Sequence, residues 1–155
     1  MAARMTTFTP ADPAYESRVR ESFAKQAVMA TFGASLVRVA PGEIEIGLRN
    51  SPALAQQHGF LHAGVLATIL DSACGYAALT LMPADAAVLS VEFKINLLAP
   101  AAGERFVARS RVVRAGRNLS VCQADAFAVL PDGEKHVATM MGTMMCVRDR
   151  AELRG

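Results

Sequence analysis

The chain has 155 residues and a formal net charge of +2; 52% of its residues are hydrophobic and 19% are charged. This length fits one domain with a substantial core and is too short for two ordinary domains. With 6% aromatic residues and no Trp, the composition excludes a typical nucleic-acid binder, which carries a basic stripe and stacking aromatic side chains. The high apolar content indicates that another subunit or an apolar ligand covers part of the surface.

The cysteine spacing and the hydropathy of the chain indicate its cellular location. Cys74, Cys122 and Cys146 are far apart and lack metal-ligand spacing, so we expect core thiols and neither a disulfide framework nor a metal site. No apolar leader is visible at the N-terminus, and the longest apolar stretch, residues 64–82, contains Asp71. We therefore expect no signal peptide, no membrane span and a cytoplasmic location.

The first half of the chain predicts one helix and two strands. Residues 1–13 have the composition of a flexible tail. Apolar residues spaced by three or four predict a helix from Ala14 to Thr31. Two short strands follow, Ala34 to Ala40 and Glu43 to Leu48, with a Pro-Gly turn between them. The polar connection over residues 49–62 is long for a loop, which hints at a functional role.

The second half predicts one buried helix and four long strands. Residues 63–82 are apolar on nearly all sides, which is typical of a helix in the middle of a structure. Alternating polar and apolar residues, separated by turn sequences, predict strands over residues 89–97, 104–114, 118–130 and 134–147.

Together these elements predict an α+β protein of the hotdog fold. One antiparallel sheet of about six strands must wrap around one long apolar helix, and an extra helix precedes the sheet. We place a single domain at residues 14–148 and a C-terminal tail at residues 149–155.

Asp71 is the strongest candidate for a catalytic residue. It lies near the middle of the apolar helix, where a carboxylate is unfavourable unless it is paired or functional, because desolvation penalises its charge. Ala63 and Gly64 begin the same helix, and the first amides of a helix lack intrahelical partners and favour an anion or a polarised carbonyl. Gln56, in the preceding loop, carries a neutral donor. His62 is either an acid–base group or, as we favour, a structural residue at the helix start.

Two segments resemble the phenylacetate-type (PaaI-like) branch of the hotdog thioesterases. One is residues 56–71, QQHGFLHAGVLATILD, and the other is residues 89–100, LSVEFKINLLAP. The family pattern has a His-Gly-Gly helix start, an acid nine residues after the His, an amide six residues before it and a Ser near the start of the third strand. The matching residues are His62, Asp71, Gln56 and Ser90, and the resemblance covers roughly residues 20–147.

The resemblance implies hydrolysis of an acyl-CoA thioester without a cofactor or metal. The backbone amide of Ala63 and the side chain of Gln56 would polarise the thioester carbonyl. Asp71 would act as nucleophile or as general base on water, and Ser90 would orient the water or the carboxylate. Ala63 departs from the family, which has Gly there; Ala keeps the backbone N–H, but its methyl group narrows the site.

A basic hairpin is a candidate for binding the CoA phosphates, together with the helix start at Gly64. Arg114 and Arg117 flank a predicted turn and Asn118 follows it, which suits phosphate binding. For Arg109 and Arg111, farther from the turn, a solvated strand face is an equal alternative.

Several alternatives stay open at the level of sequence. The resembled family forms dimers or dimers of dimers, so we expect a homodimer or homotetramer. A non-catalytic acyl-CoA-binding protein has the same fold, and a hydratase or dehydratase would require an active His, for which only His62 is available. The acyl group can be aryl or medium-chain.

Overall fold

The computed structural model describes residues 7–149 and 151–153. Residues 1–6, 150 and 154–155, which belong to the predicted tails, lie outside this part. The described elements, in chain order, are α1 (Tyr15–Lys25), α2 (Ala27–Phe32), β1 (Ser35–Ala40), β2 (Glu43–Arg49), a 3-10 turn (Pro52–Leu54), α3 (Ala63–Leu79), β3 (Ala87–Leu97), β4 (Arg105–Ala115), β5 (Leu119–Leu130), β6 (Gly133–Val147) and a second 3-10 turn (Ala151–Leu153).

The six strands form one antiparallel sheet that packs around α3. Their order is β1-β2-β4-β5-β6-β3, and α3 contacts five of them. The sheet can approach the helix closely because the inner face of β5 carries small side chains, Cys122, Ala124, Ala126 and Ala128, all fully buried. The predicted hotdog fold is confirmed.

The N-terminal helix differs from the prediction because it is broken at Gln26. This residue has extended backbone angles (φ −79°, ψ 97°) that separate α1 from α2. Gln is a good helix former, so local propensity does not explain the break. The Gln26 side chain instead accepts a hydrogen bond from the Ser72 hydroxyl on α3, at 3.2 Å, and this tertiary contact accompanies the break.

Residues before α1 are anchored rather than loose. Phe8 packs against the core, and Asp12 is 7% exposed and forms an ion pair with Arg18 at 3.5 Å. Arg18 also donates to the carbonyl oxygens of Leu79, Met82 and Pro83. A cation is favourable at a helix C-terminus, so Arg18 both caps the end of α3 and holds α1 alongside it.

Strand β3 forms an open edge of the sheet. It pairs with β6 on one side, and the other side has no strand partner among the described residues. Phe93 and Leu97 pair with the buried residues Gly142 and Ala138, and therefore point to the helix side of the sheet, yet they are 43% and 55% exposed. None of the residues that the structure describes covers this part of the inner face.

The three cysteines are core residues with free thiols, as expected. Cys74 and Cys122 are fully buried and Cys146 is half-buried, and all three are free. Burial raises the pKa of Cys122 to about 12 and also raises the pKa of Cys74. Among the described residues, no helix combines the length and the apolar character needed to cross a membrane.

Candidate active site

The candidate acid lies in a cleft between α1, α3 and β3. Asp71 is half-buried rather than enclosed in the core, because α3 turns this side toward the cleft. Its Oδ1 accepts a hydrogen bond of 2.7 Å from the hydroxyl of Ser90 on β3. We name this space, of about 300 Å³, the acid cleft; it is lined by Ser22, Lys25, Gln26, Asp71, Ser72, Gly75, Tyr76, Val88 and Ser90.

The candidate amide donors line a second depression at the other end of α3. The Gln56 Oε1 atom accepts from the His58 amide, which leaves the Gln56 side-chain nitrogen as a donor. The Ala63 amide has no hydrogen-bond partner among the described residues, as expected for the first turn of a helix. We name this space, of about 580 Å³, the amide groove; it is lined by Gln56, Phe60–Ala63, Leu66 and Leu97–Ala101.

His62 caps α3. Its Nδ1 atom accepts a hydrogen bond of 2.8 Å from the Gly64 amide, so that atom is acting as an acceptor and the Gly64 N–H is already satisfied. The sequence leaves His62 as an acid–base group or, as favoured, a structural residue, and predicts CoA binding at Gly64; the cap agrees with the structural role of His62. The cap engages the Nδ1 atom of His62 and the backbone N–H of Gly64. It leaves the Ala63 amide as the open donor at this helix end.

Acid and amide donors are separated within one protomer. Ala63 and Asp71 are eight residues apart on α3, roughly 12 Å at 1.5 Å per residue. The acid cleft and the amide groove have no lining residue in common. Within one protomer, the Asp71 carboxylate and these amide donors are therefore too far apart to act on one carbonyl group.

The predicted basic hairpin forms between β4 and β5. Arg114, Arg117 and Asn118 are exposed, and no side-chain partner is found for the two arginines among the described residues. A Cβ at Gly116 would collide with the carbonyl oxygen of Leu119, so the turn requires glycine. In the register of the sheet, this hairpin begins three strands from Ser90, roughly 14 Å at a strand spacing of 4.8 Å.

Arg109 and Arg111 belong to the outer face of the sheet instead. Arg109 binds Glu134 in a bidentate pair, at 2.6 and 2.8 Å, and also contacts Glu45. These partners raise the pKa of Arg109 and lower that of Glu134. Arg111 donates to Gln123 at 2.6 Å. The sequence left two alternatives for Arg109 and Arg111, binding of the CoA phosphates and a position on a solvated strand face. The structure favours the strand face.

The α1 wall of the acid cleft was not found from the sequence. Ser22 and Lys25 are three residues apart and share one face of α1, and Gln26 directly follows the helix. The sequence shows that these residues form a polar stripe, but it does not show which element the stripe faces. On α3, Tyr76 completes the wall, and its hydroxyl lies 3.4 Å from that of Ser22. Burial raises the pKa of Tyr76.

Comparison with known proteins identifies the family. The family model described as "Thioesterase superfamily" matches residues 58–129. The crystal structure of a thioesterase family protein from Silicibacter pomeroyi is similar, with a TM-score of 0.85 and 53% identity over 86% of this chain and 98% of that chain. The chain belongs to the thioesterase superfamily. Membership supports thioester hydrolysis as the reaction class of this thioesterase.

Two further structures are similar to this thioesterase. The conserved protein PA5202 from Pseudomonas aeruginosa has a TM-score of 0.72 and 27% identity over 79% of this chain and 94% of that chain. The PaaI protein from the phenylacetic acid degradation operon of E. coli has a TM-score of 0.77 over 88% of this chain and 96% of that chain. At 19% identity, the second likeness concerns the fold. The predicted resemblance to the hotdog thioesterases is confirmed, and the likeness to PaaI is one of fold.

Proposed function

We propose that the protein hydrolyses acyl-CoA thioesters at sites shared between two protomers of a homodimer. The observation that carries this proposal is the separation of the acid from the amide donors along α3, which gives two half-sites. Asp71 and Ser90 form one of them, and the free donors of Ala63 and Gln56 form the other. A thioesterase needs both an acid and a carbonyl-polarising pair at the same thioester.

In the proposed reaction, the Ala63 amide and the Gln56 side chain stabilise the negative charge that develops on the thioester oxygen. Asp71 either attacks the carbonyl carbon, giving an anhydride that water then cleaves, or takes a proton from the attacking water. Both routes release the free acid and CoA thiol. After a single turnover in ¹⁸O-water, label in the protein identifies the anhydride route, because only hydrolysis of an anhydride at its Asp71 carbonyl places it there.

A homodimer would bring the half-sites together. The open edge of β3 can accept a second strand, and the exposed Phe93 and Leu97 beside it need a cover. The side of α3 that the sheet leaves unburied consists of Ala63, Gly64, Ala67, Thr68 and Asp71, and most of these small side chains permit close approach of a second helix. Two antiparallel copies of α3 about a two-fold axis then place Ala63 of one chain near Asp71 of the other.

The hydratase alternative has less support than hydrolysis. It requires a His that acts on the substrate beside the acid, whereas the Nδ1 atom of His62 is engaged in capping α3, where it accepts from the Gly64 amide. A non-catalytic binding protein would use the same surfaces but release no thiol. Turnover of acyl-CoA followed with a thiol-trapping dye separates this alternative from the proposal.

Subunit complementation tests the shared site. Asp71→Ala and Gln56→Ala proteins are mixed under conditions that exchange subunits, and mass-tagged chains verify the exchange. Random pairing makes half of the dimers mixed, and each mixed dimer has one intact site, so we expect about a quarter of wild-type activity.

The matched control pairs Asp71→Ala with Ser90→Ala, two changes in the same half-site. No mixed dimer of these variants contains an intact site, so their activity should stay at the mean of the parents. If exchange is verified and the first mixture gains no more than this control, acid and amide donors belong to one chain and the shared-site proposal is wrong.

A further inference from the structure

The acid cleft has a polar wall that neither half of the proposed hydrolytic site uses. Ser22, Lys25 and Gln26 form this wall from α1 and the break after it. The wall is held in place by Arg18, which fixes α1 to the end of α3 through three carbonyl oxygens. Of the residues that line the cleft, only Gly75 and Val88 lack a polar side chain.

The groups of this wall are arranged as hydrogen-bond donors. The Gln26 Oε1 atom already accepts from Ser72 at 3.2 Å, so the side-chain nitrogen of Gln26 remains to donate. Ser22 and Tyr76 share one hydrogen bond of 3.4 Å between two hydroxyls, which leaves one hydroxyl hydrogen to donate elsewhere. Burial raises the pKa of Tyr76 and keeps its phenol in the donating form.

Lys25 adds a positive charge to these donors. Its side chain is exposed and lines the cleft, and it has no ion-pair partner among residues 7–149. Asp71 is the one acid among the described residues that line the same cleft. A ligand reaching from Asp71 toward α1 thus meets an ammonium group and neutral donors.

We propose that the acid cleft is the acyl subsite and that it selects acyl groups ending in a carboxylate, as in the CoA thioesters of dicarboxylic acids. This inference rests on the proposed hydrolysis of acyl-CoA. A wholly apolar acyl chain would remove the donors from water without replacing their hydrogen bonds. A terminal carboxylate accepts from several donors at once, and its bond to Lys25 is charge-assisted. At about 300 Å³ the cleft has room for a short chain.

The test compares two substrates that differ at the far end of the acyl chain. Hexanoyl-CoA and adipyl-CoA have the same six-carbon chain, and only adipyl-CoA carries the terminal carboxylate. We expect the wild type to show a kcat/KM about tenfold higher for adipyl-CoA, as one charged contact to an exposed side chain provides. Raising the ionic strength should reduce this preference, because salt screens the contact.

Variants of Lys25 then assign the preference to the wall. Lys25→Met should remove most of the ratio between the two substrates, and Lys25→Glu should invert it. Arg20→Met is the matched control, since Arg20 is a cation of the same helix that pairs with Glu16 outside the cleft; it should leave the ratio unchanged.

The outcomes separate this inference from the proposed function. Hydrolysis of hexanoyl-CoA with no preference for adipyl-CoA, or a preference that survives Lys25→Met, overturns the carboxylate subsite and leaves acyl-CoA hydrolysis standing. A wild type that hydrolyses neither these nor any other acyl-CoA overturns both.

Discussion

The acid cleft and the amide groove are built by different kinds of interaction. Asp71 is positioned by side chains from distant parts of the chain: Ser90 on β3 holds it, and α1 closes the cleft. The amide groove is organised mainly by local backbone bonds. The backbone N–H of Gln56 donates to the Phe60 carbonyl at 2.8 Å, and the backbone N–H of His62 donates to the Leu54 carbonyl at 2.9 Å.

This difference has consequences for what each half-site contributes. In the proposed site, the amide groove would contribute neutral donors from a loop and a helix start. The acid cleft supplies the charge, and its geometry depends on the packing of α1 and β3 against α3. Substitutions in the two half-sites should therefore differ in size and in kind.

The largest expected effect comes from removing the charge of the acid cleft. Asn at position 71 can still accept the hydrogen bond from Ser90, so Asp71→Asn should fold normally, but Asn is neither a nucleophile nor a base. We expect kcat to fall about 100-fold or more, about 2.7 kcal/mol in the barrier. Asp132→Asn, in an exposed turn, is the control. Near-normal turnover of a folded Asp71→Asn protein would remove Asp71 from the mechanism.

An intermediate effect is expected from the amide groove. Gln56→Ala removes one neutral donor to the developing oxyanion while the Ala63 amide remains, so kcat/KM should fall roughly 10- to 100-fold. Gln57→Ala serves as the control, because Gln57 is the exposed neighbour in the same loop. If the two variants have equal activity, the Gln56 side chain does not reach the carbonyl.

The smallest effect on the chemical step is expected outside both half-sites. Replacing Arg114 and Arg117 by Ala should raise the KM for acyl-CoA about tenfold and change kcat little, because these arginines would bind the phosphates rather than the thioester. The KM for an acyl-pantetheine thioester, which lacks the nucleotide, should stay nearly constant. A double variant of Arg20 and Arg38, both in surface ion pairs, controls for net charge. Equal increases with both substrates would contradict a role at the phosphates.

Much of the fold could be predicted from the periodicity of the apolar residues. The apolar stretch beginning at Ala63 and the alternation from residue 87 to residue 147 follow the periods of a helix and of half-buried strands. The end of α3 was predicted at Met82 and lies at Leu79, because Arg18 binds the carbonyl oxygens there and Thr80 bonds to Ala77. Such boundary contacts come from residues far away in the sequence.

The sequence by itself determined the elements, the family and the candidates Asp71, Gln56, Ala63 and Ser90, because hydrophobic periodicity and short-range spacing are local properties of the chain. Only the tertiary structure decided which groups face each other. It set Gln26 against Ser72 and broke the first helix there. It also left the edge of β3 open and placed acid and amides in separate clefts. The physical reason is that packing and desolvation act between residues that meet only after the chain has folded.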